Sequence, residues 1–155
     1  HTRLRVLREV RGGAWDALAE GRADFVLGAA GDPPAGGGYR QRVLAEVSSV
    51  FAVAPTHPLA TAHEPLSEAV IARHRGVVAA DSSRRLAPRT IGLLSGQPTL
   101  TVPDLDAKLA AQIAGLGCGF LPYALAADAI ASGRLVVRAV ETPRPPARAR
   151  AQKRR

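Results

Sequence analysis

Ser82 and Ser83 are the side chains best suited by type to hold a small ligand, because short hydroxyls donate to and accept from a carboxylate or an amide. Asp81 precedes them, and Arg84 and Arg85 follow; either arginine can pair with an acidic ligand. Each group also has a plainer reading: turn chemistry for the serines and solvent exposure for the arginines. Asp104 stands at the head of a helical pattern and reads as an N-cap or as a ligand contact. No catalytic residue is assigned. The serines lack a Gly-x-Ser-x-Gly elbow, and no two carboxylates form a recognisable acid–base couple. His57 lies between Thr56 and Pro58. His63 and His74 lack ligand-like spacing with any Cys, Asp or Glu, so no metal site is expected. Cys118 is the single cysteine, so no internal disulfide can form; in Gly117-Cys118-Gly119-Phe120-Leu121 it reads as a small buried residue rather than a nucleophile. The glycine-rich loop 31–38 lacks the Lys-Ser/Thr ending of a phosphate cradle and precedes a strand, so neither a nucleotide nor another cofactor is expected.

The elements that position these groups alternate between strand and helix. Leu4, Val6 and Leu7 lie in a β-prone run ending near Val10, and Gly12-Gly13 breaks it. Residues 14–20 have helical spacing through Trp15, Leu18 and Ala19, Gly21 is placed as a C-cap, and 24–28 is a short apolar run. Strand, helix and strand in so few residues imply a βαβ unit and a parallel sheet. Strands are expected at 42–46 and 49–54, after which Pro55 and Pro58 end extended structure. Ser67 caps a helix to about His74, and strands follow at 76–80 and 99–102. Asp104 caps a helix to about Gly115, with Leu105, Leu109, Gln112/Ile113 and Leu116 on its apolar face. A strand at Phe120-Leu121, a helix opened by Pro122 and a strand at 135–140 complete the pattern.

With 155 residues and 46% hydrophobic content, the chain can bury a core in one compact domain or two small lobes. No apolar run approaches the roughly 18 residues that span a bilayer, and the first residues lack a signal-peptide layout, so no membrane partner and a cytoplasmic location are expected. The net charge of +8 invites a nucleic-acid reading. However, six basic residues fall in the last dozen, interleaved with Pro and Ala, which reads as a solvated tail. Six aromatics are too few for a stacking platform.

Several segments together resemble one family. Leu18-Ala-Glu-Gly21-Arg-Ala-Asp24-Phe-Val-Leu-Gly28 resembles the L-x-x-G-x-x-D signature of LysR-type regulatory domains. His57-Pro58-Leu59-Ala60 after a valine-rich strand continues the likeness. Ala114-Gly115-Leu-Gly117-Cys-Gly119-Phe-Leu121-Pro122 and then Gly133-Arg-Leu135-Val136 extend it, so that it covers about residues 4–142.

The resemblance implies an α/β, two-lobed fold like a periplasmic binding protein, with an effector bound between the lobes. Residues 1–54 would be a partial lobe one, 55–142 lobe two, and 143–155 a basic flexible tail. The implied effector segments are Ala29 and Ala30 after one strand, Thr56 near the crossing, Ser82 and Ser83 after another strand, and Val102, Pro103 and Asp104 before a helix. These agree with the rule that open α/β sheets bind ligands at the carboxyl ends of strands. The implied partner is a small-molecule effector, an organic acid or amino acid, and the intact protein would self-associate through its regulatory domains. A family member opens with a helix-turn-helix, and its first lobe has an opening strand and helix and a returning strand and terminal helix. None is recognised here, so the chain is expected to be a regulator fragment with an incomplete first lobe, and DNA contact is expected only through the missing N-terminal domain. A transport-type solute-binding protein and an enzyme on the same fold are the alternatives.

Overall fold

The computed structural model describes residues 3–29, 31–35, 37–85 and 93–154. The chain divides into two compact units. Unit one takes the chain up to Ala45, resumes at Asp81, and takes it again from Arg148; unit two holds Glu46–Ala80 and the later chain up to Ala147. This differs from the expected boundary at 54/55. The strand after Glu46 sits at the centre of a unit-two sheet, and Asp81–Arg85 is bonded to the first helix of unit one.

In unit one, α1 (Gly12–Ala19) packs its apolar side on β1 (Phe25–Leu27). Trp15 and Leu18 are fully buried with Val26 and Ala29, and Trp15 meets Tyr39 edge to face at 5.4 Å. Tyr39 opens β2 (Tyr39–Val47), which carries the chain into unit two, where β3 (Ser49–Val53) follows.

Two expectations fail in unit one. The run 4–10 forms no strand, and Leu4 and Val6 are about nine-tenths exposed (89% and 92%), because no described strand pairs with it. There is accordingly no parallel βαβ unit here: β1 pairs antiparallel with β8 (Ala147–Arg154), Val26 opposite Gln152. The basic tail is thus an ordered strand, the middle one in the order β1-β8-β2, and it supplies a returning strand that the sequence reading missed. Its Ala-Arg-Ala-Arg-Ala-Gln alternation has the period of a strand. Small alanines and a buried Gln152 stand where a hydrophobic pattern would have been sought.

Unit two is built around β3. Its neighbours, β6 (Gly119–Pro122) and β7 (Val136–Arg138), both run antiparallel to it. Alternate residues point to opposite faces. Phe51 and Val53 pack with Leu59, Leu66, Ile71 and Cys118 on one side; Ala52 packs with Leu121, Ala126, Ala129 and Leu135 on the other. The first side is closed by a 3-10 turn, Pro58–Ala60, and by α2 (Glu68–Ile71), capped by the Ser67 hydroxyl. The second is closed by α3 (Leu105–Ile113) and α4 (Tyr123–Ala131).

A parallel pair is formed instead by β4 (Gly76–Ala79) and β5 (Thr99–Val102), aligned Gly76 to Thr99. Gly117 lets the chain pass close to this pair: a Cβ there would lie 2.4 Å from the Arg75 carbonyl oxygen. The buried stripe of α3 differs in part from the expected one. The middle of the expected face is kept, with Leu109 and Ile113 packed on the core and Gln112 buried with its amide donating to the carbonyls of Ala52 (2.7 Å) and Gly119 (3.0 Å). The ends differ, since Leu105 and Leu116 are exposed while Lys108 and Ala111 are buried.

Candidate functional site

The densest polar arrangement in unit one joins α1 to residues 81–85. Arg11, before the helix, gives α1 no side-chain cap, and the first turn carries no acidic residue. Asp81 takes that place from far along the chain, Oδ2 accepting from the Gly12 N–H at 3.3 Å and putting negative charge at the helix N-terminus. The glycine pair read as a break is the start of this helix. A Cβ on Gly12 would lie 2.3 Å from Ser83 Oγ, and one on Gly13 only 1.9 Å from Ser82 Oγ. Only glycines let the serines approach so closely.

The serine hydroxyls are engaged inside this bracket. Ser82 Oγ accepts from the Val10 N–H and donates to Glu9 Oε2, each at 2.7 Å, and its own N–H donates to the Val10 carbonyl. Ser83 donates both its N–H (2.8 Å) and its hydroxyl (2.5 Å) to Asp81 Oδ1. Burial alone would raise the Glu9 carboxyl, but the Ser82 hydroxyl and Arg22 outweigh it and hold the group below its ordinary value. Asp16, inside α1 and 2% exposed, accepts from the N–H groups of Arg84 and Arg85 through Oδ2. The Arg85 side chain pairs with Glu20 at 2.9 Å. Asp16 and Glu9 were missed at the sequence level, since nothing local ties them to a segment some seventy residues away. Of the remaining expected contacts in unit one, Ala29 is buried against Trp15 and Leu18 and presents no polar side chain, and Ala30 lies outside the described residues.

Unit two carries the other four expected residues in two places. Val102 ends β5 and accepts from the Ala80 N–H at 2.7 Å, Pro103 is exposed, and Asp104 caps α3 by accepting from the Ala107 N–H at 2.8 Å. This is the carboxyl end of a parallel strand leading into a helix N-terminus, where ligands of α/β sheets bind. Thr56 is exposed and lies beside Gly115, beyond the other end of α3; a Cβ on Gly115 would be 3.4 Å from its hydroxyl. The nine residues of α3 span about 14 Å. Thr56 therefore does not join Val102–Asp104 in one cluster.

The groups that might have suggested catalysis are occupied. His57 is buried; its Nδ1 accepts from the Leu59 N–H at 3.1 Å, and its ring stands 5.2 Å from that of His74. Burial first, and the neighbouring His74 second, push its pKa down. Burial pushes the Cys118 thiol up to about 11, against a smaller opposing effect of Lys108. Among the described residues no group of three or more His, Cys, Asp or Glu could hold a metal ion, and no helix is long and apolar enough to cross a membrane.

Comparison with known proteins agrees with this architecture. The LysR substrate binding domain family matches residues 1–154. The chain is 44% identical over 139 residues to the HTH-type transcriptional regulator YeeY of Escherichia coli K12, covering 90% of this chain and 45% of that protein. It is 38% identical over 135 residues to the HTH-type transcriptional activator AllS of Klebsiella pneumoniae, covering 87% and 50%. It thus spans about half the length of these relatives. Among solved structures, the regulatory domain of CrgA from Neisseria meningitidis is similar with a TM-score of 0.64 at 21% identity, over 90% of this chain and 70% of that one. Full-length LysG from Corynebacterium glutamicum with bound effector Arg is similar with a TM-score of 0.60 at 20% identity, over 90% and 47%. At these identities the likeness establishes the fold.

Proposed function

This chain belongs to the LysR substrate-binding-domain family, and from that premise we propose that it is the effector-sensing part of a DNA-binding transcription regulator. The observation that carries the reading is the family match along residues 1–154, with 44% identity to a transcriptional regulator over most of the chain. In the intact protein, DNA is held by a region outside this chain, copies associate through their regulatory domains, and the regulator works in the cytoplasm. The effector is a small organic acid or amino acid; LysG, of the same fold, holds arginine. It regulates only to the extent that it binds two conformations of the protein differently.

The module binds and does not catalyse. Its hydroxyls at Ser82 and Ser83 are held in hydrogen bonds to Glu9 and Asp81, the Nδ1 of His57 is engaged by the Leu59 N–H, and the Cys118 thiol is buried. In unit two the effector contact is assigned to Val102, Pro103 and Asp104. In unit one it is assigned to the segments of Ala29 and of Ser82-Ser83, with α1 holding the serine segment in place.

A thermal-shift screen of the chain against amino acids and small organic acids tests the proposal. A ligand at about a hundred times its Kd adds about 2.7 kcal/mol, which moves Tm by roughly 5–10 °C in a chain of this size. Asp104→Asn keeps an N-cap acceptor and removes the charge, so it should leave the unliganded Tm nearly in place. It should reduce the rise given by an amino acid, whose ammonium pairs with the carboxylate, and not the rise given by a simple organic acid. Thr56→Val should change neither. A chain that melts cooperatively and is shifted by no acid or amino acid at millimolar concentration would overturn the assignment.

A further inference from the structure

Unit two contains a cavity of about 290 Å³ that involves none of the described residues assigned to effector contact. Its deep wall is Phe51, Leu66, Ile71, Val77, Cys118 and Phe120. All but Phe120 are buried, and the two phenylalanines stand edge to face at 5.3 Å. Val140, Thr142 and Arg144 form one side of the mouth and Glu68 another part of it.

The wall's polar groups are already engaged. The Gln97 amide donates to the carbonyls of His74 (3.0 Å) and Ile71 (3.3 Å) and accepts from the Leu94 N–H (3.3 Å). The Cys118 thiol donates to the Arg75 carbonyl at 3.5 Å. A buried water needs about two to four polar partners, whereas an apolar cavity of only about 150 Å³ accommodates benzene. The interior therefore suits an apolar body better than ordered water. At the mouth, the Arg144 guanidinium lies over the Phe120 ring, 4.7 Å from its centroid. The ring orients a planar cation where a ligand's carboxylate would emerge.

We propose that this cavity binds a small carboxylate with a single-ring apolar body, the ring among Phe51, Val77 and Phe120 and the carboxylate toward Arg144. The proposal does not rest on the effector segments, so the two can fail separately. The segment 140–145 that forms part of the mouth leads directly into β8, so a ligand here would touch the stretch by which the chain leaves unit two.

The test is a methyl NMR titration of the full chain with phenylacetate, the uncharged phenylacetamide, and acetate. Phenylacetate should shift the methyls of Leu66, Ile71 and Val77, and acetate should not. Arg144→Gln should weaken phenylacetate about five- to tenfold, the size of a partly exposed charge-assisted pair, and leave phenylacetamide nearly unchanged. Glu68→Gln, which removes an opposing charge at the mouth, should tighten phenylacetate modestly. Val140→Phe should fill the mouth and abolish both ring ligands. Unmoved methyls in the wild type would overturn the proposal, as would phenylacetamide binding as tightly as phenylacetate. Undiminished binding by a folded Val140→Phe would do the same. Should Val140→Phe not fold, the wild-type titration and Arg144→Gln still decide the matter.

Discussion

The two units are held together by different kinds of force. Unit two buries apolar side chains on both faces of β3, with Phe51 and Val53 on one side and Ala52 on the other. Unit one has one small cluster around Trp15, while Phe25 and Leu27 on β1 and Val43 and Leu44 on β2 are exposed. What unit one has in addition is a polar bracket: Ser82 between Glu9 and Val10, Asp81 on the Gly12 N–H, and Asp16 on the N–H groups of Arg84 and Arg85. Apolar burial is graded and tolerant of small changes. A bracket of partly buried hydrogen bonds is not, because removing one member leaves the others without partners. Unit one should therefore be the more fragile to single substitutions, and its weak points should be polar as well as apolar.

The largest expected effect is that of Trp15→Ala. Truncating a fully buried aromatic costs roughly 3–5 kcal/mol. In unit one that is most of the apolar core, so amide protection should collapse there while the amides of β3 and β6 stay protected. Leu121→Ala in unit two should cost roughly 2–5 kcal/mol and leave its sheet in place. Equal loss of protection in both units after Trp15→Ala would break the comparison.

This difference also governs what could be read from the sequence. The bounds of β5 and the caps of α2 and α3 were legible, since hydrophobic period, a strand-length run and a capping side chain are local signals. In unit one the local signals misled. Leu4, Val6 and Leu7 looked like a strand by type, yet a strand requires a neighbour, and none is described. The alternation of Ala147–Arg154 was hidden by its charge and by the prolines before it. The engagement of Ser82 and Ser83 depended on Gly12 and Gly13, and a pairing so distant leaves no trace in one sequence. The cavity was equally invisible, because its wall is drawn from β3, α2, β4, β6 and the loops between them.

Asp16→Ala probes the bracket directly. It leaves two backbone N–H groups without their acceptor, at a cost of roughly 1–3 kcal/mol. Chemical denaturation should show a fall in midpoint, and hydrogen exchange should quicken at Arg84 and Arg85 before it quickens in β4. Asp16→Asn, which retains one acceptor oxygen, should recover part of the loss. If the exchange rates at Arg84 and Arg85 do not change, the bracket is not what holds residues 81–85 to α1.

Unit two has its own polar weakness at His57. Burial, and then the neighbouring His74, lower its pKa in the folded state, so folding favours the neutral ring whose Nδ1 accepts from Leu59. The stabilisation is complete above the unfolded value of about 6.5 and is lost as pH falls through the lowered folded value. Tm should decline as pH falls from about 6.5 toward that lowered value, and below it His57 adds no further slope. His57→Asn keeps an acceptor for the Leu59 N–H and removes the titration, so its decline should be shallower. An identical slope in the variant would assign the acid loss to other groups.

The smallest effects sharpen the comparison best, because they place the same hydroxyl on strands that follow one another in the sequence but belong to different sheets. Leu44 on β2 is 54% exposed and Ala52 on β3 is wholly buried. Leu44→Ser removes an apolar side chain that is already half in water, so stability should move by no more than about 0.5 kcal/mol. Ala52→Ser places a hydroxyl in a packed apolar layer, and burying it without a partner should cost roughly 1–3 kcal/mol. Were Leu44→Ser to cost as much as Ala52→Ser in equilibrium denaturation of the same chain, the apolar residues of β2 would be covered in solution. The bareness of the unit-one sheet would then not distinguish it from unit two.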